Sequence, residues 1–278
     1  MKSKEQLAAL FSRQAEPYRK RLEEIMSQHQ AAGRERVLEF ISARPGMRVL
    51  DLACGPGTLT FRLARQLEGR GEVVGVDLAD GMIELARRQL AGRSLPVQFQ
   101  RMDIEQLNFP PASFDAVACG HGLQLTPNLG RALLEAHRVL KPRGPFGASL
   151  PVDPPEPAPA AAAFAAALDA RLGAWEPPGD LDATRAIAGD AERLRSAGVA
   201  AGFREVEVEQ LTAELAWEGP GQFATSQLEW WSQADRIRDF SSHVKSLIAK
   251  ETEAAVARVT GPGPFSTLSA SLVLTARA

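Results

Sequence analysis

The chain is poor in cysteine, histidine and tyrosine: two, four and one in 278 residues. Two cysteines as distant as Cys54 and Cys119 form neither a disulfide framework nor a zinc ligand set, and a reducing compartment suits them. No metal-ligand spacing, Ser-His-Asp order, Lys-bearing phosphate loop or internal repeat occurs. The net charge is −2, so nothing global draws the chain to nucleic acid or an anionic membrane. No apolar run is long enough for a membrane span, and Met1-Lys2-Ser3-Lys4 leads into mixed polar sequence rather than a signal peptide. The expectation is therefore a cytoplasmic protein with no nucleic-acid partner. What is present, 45% hydrophobic and 24% charged residues, suits one large globular domain carrying an insertion.

The stretch that organises the rest is Val49-Leu50-Asp51-Leu52-Ala53-Cys54-Gly55-Pro56-Gly57-Thr58. Val49, Leu50 and Leu52 suit a central parallel strand covered on both faces. Gly55 and Gly57 allow a sharp turn and close approach of a ligand to the backbone. A helix starting at Gly57 or Thr58 directs free N–H groups at that ligand. Asp51 is a carboxylate ending an apolar strand, and burial obliges it to find donors or a cation. An ammonium group on a ligand supplies both.

A second strand, Glu72 to Asp77, again ends in an acid. An acid at this point, roughly twenty residues past the glycine turn, accepts hydrogen bonds from ribose hydroxyls; the competing role is a helix N-cap, for which Asp80 is also a candidate. A third strand, Val97 to Met102, runs into Asp103-Ile104-Glu105. Then come Phe109-Pro110-Pro111-Ala112-Ser113-Phe114-Asp115, a fourth strand begun at Phe114, and Gly120-His121-Gly122. The segment Arg138-Val139-Leu140-Lys141-Pro142-Arg143-Gly144 precedes a fifth strand over Gly147 to Leu150.

Together these motifs resemble class I S-adenosylmethionine (SAM)-dependent methyltransferases of the small-molecule, ubiquinone-menaquinone C-methyltransferase-like branch, closely over residues 36–150 and loosely over 200–278. The family prefers glycine where Ala53 stands. The resemblance implies a Rossmann-like α/β fold: a seven-stranded, mostly parallel sheet with an antiparallel last strand, helices on both faces and a helical lid insertion. It implies that Asp51, Ala53, Gly55, Gly57 and Asp77 hold SAM, Asp51 at its ammonium and Asp77 at its ribose. Leu78, Met82, Met102 and Ile104 then flank the adenine, whose amino group Asp103 accepts. Asp115 ties down the start of the fourth strand. Cys119 lies beside the ligand as a small buried residue rather than a thiol catalyst.

Tyr18, in Ala15-Glu16-Pro17-Tyr18, matches an N-terminal element that closes over the cofactor; packing on the surface is its other reading. His121, at the end of the fourth strand, is the candidate general base, against a histidine merely packed on the cofactor. A nicotinamide dinucleotide enzyme fits less well. Its third glycine is replaced by Thr60, and Asp51 repels a pyrophosphate. A SAM-binding lyase, cyclase or binding protein without methyl transfer stays open. No Asn-Pro-Pro-Tyr-like element follows the fourth strand, against a base-modifying DNA enzyme.

The expected organisation is N-terminal helices over the cofactor site (1–45), the SAM-binding core (46–150), a Pro/Ala-rich helical lid (151–200) and the rest of the core with further lid helices (201–278). Within the insertion, helices are expected over 160–172 and about 188–198, with a turn at Pro177-Pro178-Gly179. The sixth strand is expected over Arg204 to Glu209 and the seventh over Ser269 to Ala276. Leu133, Leu134 and Leu140 are expected to face the sheet, with His137 and Arg138 solvated. An aromatic cluster of Phe223, Leu228, Trp230, Trp231 and Phe240 lines an acceptor pocket or packs the lid. Arg236, Arg238 and Lys245 steer an anionic acceptor or form a solvated face. The acceptor is expected to be a small, largely apolar metabolite, such as a quinone precursor or secondary metabolite, with C-methylation slightly favoured over O- or N-transfer.

Overall fold

The computed structural model describes residues 2–27, 30–153, 158–175 and 181–278. Three helices come first: α1 (Lys2–Arg13), α2 (Ala15–Ser27) and α3 (Ala32–Ile41). The core follows as β1 (Arg48–Leu52), α4 (Thr58–Gln66), β2 (Glu72–Asp77), α5 (Asp80–Leu90), β3 (Val97–Arg101), β4 (Ala116–Gly120), α6 (Leu129–Val139) and β5 (Pro145–Val152). Then come α7 (Pro159–Leu172), α8 (Asp182–Ala188), α9 (Ala191–Ala200) and β6 (Arg204–Trp217). Last are α10 (Pro220–Leu228), α11 (Trp231–Ile237), α12 (Ser242–Thr260) and β7 (Phe265–Arg277).

The strands form one seven-stranded sheet in the order β3-β2-β1-β4-β5-β7-β6. Neighbours from β3 to β5 pair in parallel, and β7 runs antiparallel to both β5 and β6. The strand order reverses between β1 and β4, and in open α/β sheets the crevice at such a switch point receives the ligand.

Each face of the sheet has its own core. Val49, Val73, Ala116 and Ala118 pack with Val37 and Ile41 of α3, Leu63 of α4 and Ile83 of α5. Leu50, Leu52, Val74 and Val117 pack on the other face with Leu133 and Val139 of α6 and Leu194 of α9. This period-2 alternation puts Asp51 on the same face as Val49, toward α4.

A third cluster stands apart: Phe164 and Leu168 of α7 pack with Trp217, Phe223, Leu228, Ile248 and Val256. Here β6 and β7 outrun the rest of the sheet, paired from Thr212↔Ala270 to Trp217↔Phe265, and α7, α10 and α12 cover them as a helical cap.

Several expectations are corrected. Residues 151–200 are not one lid: α7 joins the cap, while α9 packs on β6 and β7 as a helix of the core. The helix expected at about 188–198 is α9, started at Ala191 by the Asp190 side chain, which accepts from Arg193 N, and the shorter α8 precedes it. Pro177, Pro178 and Gly179 lie outside the described residues. The sixth strand runs eight residues past Glu209 because its alternation continues through Leu211 and Leu215 to Trp217. Phe114 makes an isolated bridge to Leu140, and the fourth strand begins at Ala116. Leu134 points to solvent, 49% exposed. Arg138 is not simply solvated: it pairs with Glu135 and donates to the carbonyls of Leu107 and Phe109. His137 packs edge-on against Phe203.

Candidate active site

A cavity of about 950 Å³, its open mouth included, lies over the carboxyl ends of β1, β2, β3 and β4. Its floor comes from the loops after those strands, and its roof from α1 (Lys4, Leu7, Ala8, Phe11) and α2 (Tyr18, Leu22). Among the described residues, none of 151–200 lines it. The roof over the ligand is therefore N-terminal.

The roof is fastened at both ends. Lys4 Nζ reaches Asp103 at 2.8 Å and Glu105 at 2.6 Å. Arg13 pairs with Asp235 of α11, and the Tyr18 ring lies 5.8 Å from that of Trp230. Gly81 makes the close seat of α1 on α5 possible: a side-chain carbon there would stand 2.5 Å from the carbonyl oxygen of Ser12.

Asp51 is 1% exposed and lines the cavity. Thr60, on the first turn of α4, donates to its Oδ2 at 2.5 Å; Oδ1 is buried with no partner. Burial drives its pKa up to about 7, with the Thr60 hydrogen bond opposing and the nearby Asp77 charge adding. Asp77 is better supplied, accepting from Gly55 N at 2.9 Å and Ala79 N at 2.8 Å. Burial raises its pKa, and those N–H groups oppose the rise. Each oxygen keeps a lone pair for a hydroxyl donor.

His121 stands at φ 62, a left-handed backbone, held by its N–H to the carbonyl of Ser149. Its Nε2 lies 3.2 Å from Ser271 Oγ on β7. Burial, and then the Arg34 charge, push its pKa well below the ordinary histidine value, so the imidazole is neutral. Ala53 faces it from the end of β1 and is also left-handed, at φ 51. The two loops meet closely, since a side-chain carbon on Gly122 would stand 2.4 Å from Ala53 Cβ.

The cavity brings together Tyr18, Asp51, Ala53, Gly55, Asp77, Leu78, Met82, Met102, Ile104 and His121. Three residues expected at the cofactor do not line it. Gly57 turns toward the core, where a side-chain carbon would meet Phe99 at 2.8 Å and Phe61 at 3.0 Å. Asp103 points at Lys4 and the Glu105 N–H. Cys119 lies within the core beneath Gly122, its thiol pushed up to about 12 by burial. Arg236, Arg238 and Lys245 do not face the cavity: Arg236 binds Asp169 and the Gly173 carbonyl, Arg238 pairs with Asp235 and Asp239, and Lys245 donates to the Arg238 carbonyl. Phe223 and Leu228 are cap core, Phe240 is exposed, and nothing is described for the Trp231 side chain.

Sequence reasoning missed Lys4, the Thr60 hydroxyl and Arg34. The last had a signal: residues 34, 37, 38 and 41 fall on one face of a helix, so Arg34 extends the buried stripe of Val37, Leu38 and Ile41.

The floor of this cavity can take a nucleoside by its hydroxyls, an apolar ring between Leu78, Met82, Met102 and Ile104, and an ammonium at Asp51. Residues 49–144 match the methyltransferase-domain family. The methyltransferase domain is thus carried by residues 49–144. Over 108 residues it is 41% identical to a 2-phytyl-1,4-naphtoquinone methyltransferase of Synechococcus elongatus, covering 38% of this chain and 46% of that protein. Over 140 residues it is 35% identical to a demethylmenaquinone methyltransferase of Lactobacillus johnsonii, covering 50% of this chain and 57% of that one. The chain thus spans about half the length of these curated relatives. In fold it resembles the YcgJ protein of Bacillus subtilis (TM-score 0.56, 19% identity, 88% of this chain and 97% of that one). It also resembles the [4+2]-cyclase SpnF (TM-score 0.51, 24% identity, 88% and 78%). The cofactor of such a domain is S-adenosylmethionine, and the residues fit it: the orphaned Asp51 Oδ1 lacks the hydrogen-bond donor that the cofactor's ammonium provides. Among the described residues no helix is long and apolar enough to cross a membrane, and no cluster suits a metal ion.

Proposed function

We propose that the chain is a SAM-dependent methyltransferase acting on a small, largely apolar acceptor of the quinone-precursor type, with transfer to carbon favoured. One observation carries the reading: a buried carboxylate oxygen without a partner at the head of a cavity that also holds Asp77. The names of the curated relatives support the acceptor class.

When bound, SAM supplies a methyl carbon made electrophilic by its sulfonium, so the protein's work is alignment and exclusion of water. Asp51 holds the ammonium and Asp77 the ribose hydroxyls. Leu78, Met82, Met102 and Ile104 clasp the adenine. Helices α1 and α2 close over the site, and Tyr18 and Leu22 give it an apolar wall. His121, neutral in its buried setting, accepts a proton from the acceptor at a ring nitrogen.

Calorimetric titration with SAM, S-adenosylhomocysteine and NADH tests the reading. Binding of the two sulfur nucleosides alone supports it; binding of NADH alone overturns it. Sulfur-nucleoside binding with no methyl transfer to any quinol, phenol or amine would make the chain a SAM-binding protein of other chemistry.

A further inference from the structure

Among the described residues, the most buried cation of the cavity forms no ion pair. Arg34 enters from the first turn of α3 and is 6% exposed. Its guanidinium lies across the end of β4, where a side-chain carbon on Gly120 would stand 3.4 Å from Nε. Its one side-chain hydrogen bond among the described residues is long, 3.4 Å from Nη2 to the Tyr18 hydroxyl. Asp51 acts on it only through space. Four other arginines that are partly buried are each matched by a carboxylate: Arg36 by Glu209, Arg48 by Glu72, Arg138 by Glu135 and Arg236 by Asp169.

A guanidinium carries five donors and does not give up its proton under ordinary conditions. Buried without a carboxylate, it is expensive. Its neighbours do not relieve it. His121 is neutral and already engaged with Ser271, and the Tyr18 hydroxyl is a single, distant acceptor. The close seat of α3 holds the arginine in place: a side-chain carbon on Gly33 would stand 2.8 Å from Ser271 Cβ.

We propose that Arg34 is the cavity's receptor for an oxyanion, contributed either by the carboxylate of the cofactor's amino-acid end or by the ionised oxygen of an acidic acceptor. The inference rests on the cavity being a SAM site. Asp51 and Arg34 then divide the charges between them, the carboxylate taking a cation and the guanidinium an anion. The planar fork favours a two-oxygen or enolate-like partner.

The test uses the full chain as wild type, Arg34→Gln and Arg34→Lys. Each is titrated with S-adenosylhomocysteine and with S-adenosyl-3-thiopropylamine, which keeps the ammonium and lacks the carboxylate. Protein saturated with S-adenosylhomocysteine is then titrated with 2-hydroxy-1,4-naphthoquinone, ionised at neutral pH, and with its uncharged 2-methoxy counterpart. Arg34→Gln is expected to lose about 10- to 100-fold in affinity for one anionic probe and less than about threefold for its uncharged counterpart. Arg34→Lys should fall between, as a point charge without the fork. Selective loss on S-adenosylhomocysteine assigns the cofactor carboxylate; selective loss on the hydroxyquinone assigns the acceptor.

No loss on either anion overturns the proposal. So does equal loss on charged and uncharged probes together with a lowered melting temperature, since that marks a packing role. Unliganded Arg34→Gln is expected to melt no lower than wild type, because it removes an unmatched buried charge. Wild-type protein that binds neither sulfur nucleoside overturns the cofactor reading itself, separately from any effect of Arg34.

Discussion

Thr60 Oγ1 donates to Asp51 Oδ2 at 2.5 Å and leaves Oδ1 buried with nothing to accept from. The carboxylate is half satisfied by the protein and half reserved. A group in this state destabilises the unliganded fold and favours whatever brings the missing donor. Its pKa near 7, raised chiefly by burial, puts that reserve within reach of experiment.

Cofactor affinity should therefore depend on pH. An ammonium needs the ionised carboxylate, and protons compete for Asp51 below about 7. Affinity for S-adenosylhomocysteine is expected to be level above that pH and to fall about tenfold per unit below it. The unliganded protein behaves oppositely. Because the folded pKa lies above the ordinary 3.8, Asp51's contribution to stability is fully present below 3.8 and is lost as pH rises through about 7. Asp51→Asn should abolish the pH dependence of binding, weaken binding at pH above 7, and melt no lower than wild type there. Calorimetry and melting curves across pH check both signs.

Asp77 and Asp103 should separate under mutation. Asp77 accepts from two backbone N–H groups at the cavity floor, so Asp77→Ala removes charge-assisted bonds and orphans both donors. A loss of about 10- to 100-fold in affinity for S-adenosylhomocysteine is expected, with a lower melting temperature. Asp103 is spent on Lys4 and the Glu105 N–H, and Asp103→Ala should change affinity by less than about threefold. Equal losses would show that Asp103 reaches the adenine after all.

The cap makes a separate claim. Arg236 has a side chain 8% exposed and ties Asp169 and the Gly173 carbonyl at the end of α7 to α11. Arg236→Ala should cost about 1–3 kcal/mol of stability through the unsatisfied groups it leaves, while affinity for S-adenosylhomocysteine and the hydroxyquinone stays level. A selective loss of the anionic quinone would restore a steering role.

How far the sequence could be read follows from the kind of signal each part carries. The sheet was legible because its strands are short, apolar and bounded by Gly, Pro and Asp, and Asp51 and Asp77 were legible because an acid ending such a strand is anomalous. The roof is only half legible: Ala15-Glu16-Pro17-Tyr18 is a local element, but Lys4 acts through pairing across 99 residues, which no local pattern reports. Asp103 stands in a series of strand-end acids, but α1 supplies its partner, Lys4. The division of the insertion is hard to read because an alanine-rich helix such as α7 is apolar nearly all round and has little polar contrast to orient it; it packs where Phe164 and Leu168 find Phe223 and Val256.

His121 permits a test in which backbone and chemistry come apart. Its left-handed backbone, φ 62, is one that asparagine tolerates and alanine resists. His121→Asn should therefore keep the loop and the affinity for S-adenosylhomocysteine within about threefold, while removing the imidazole. His121→Ala removes the same group and adds strain at the loop. With both variants saturated in cofactor, single-turnover methyl transfer to a quinol acceptor should fall by about 10²- to 10⁴-fold if the imidazole takes the proton. The wild-type rate should drop only on the acid side, through a pKa below the ordinary 6.5, because burial and Arg34 both oppose protonation. That limb lies below the Asp51 transition near 7 and vanishes from rates measured at saturating cofactor in His121→Asn. An unchanged rate in His121→Asn would leave the histidine as a packing residue held by Ser271 and assign proton removal to solvent.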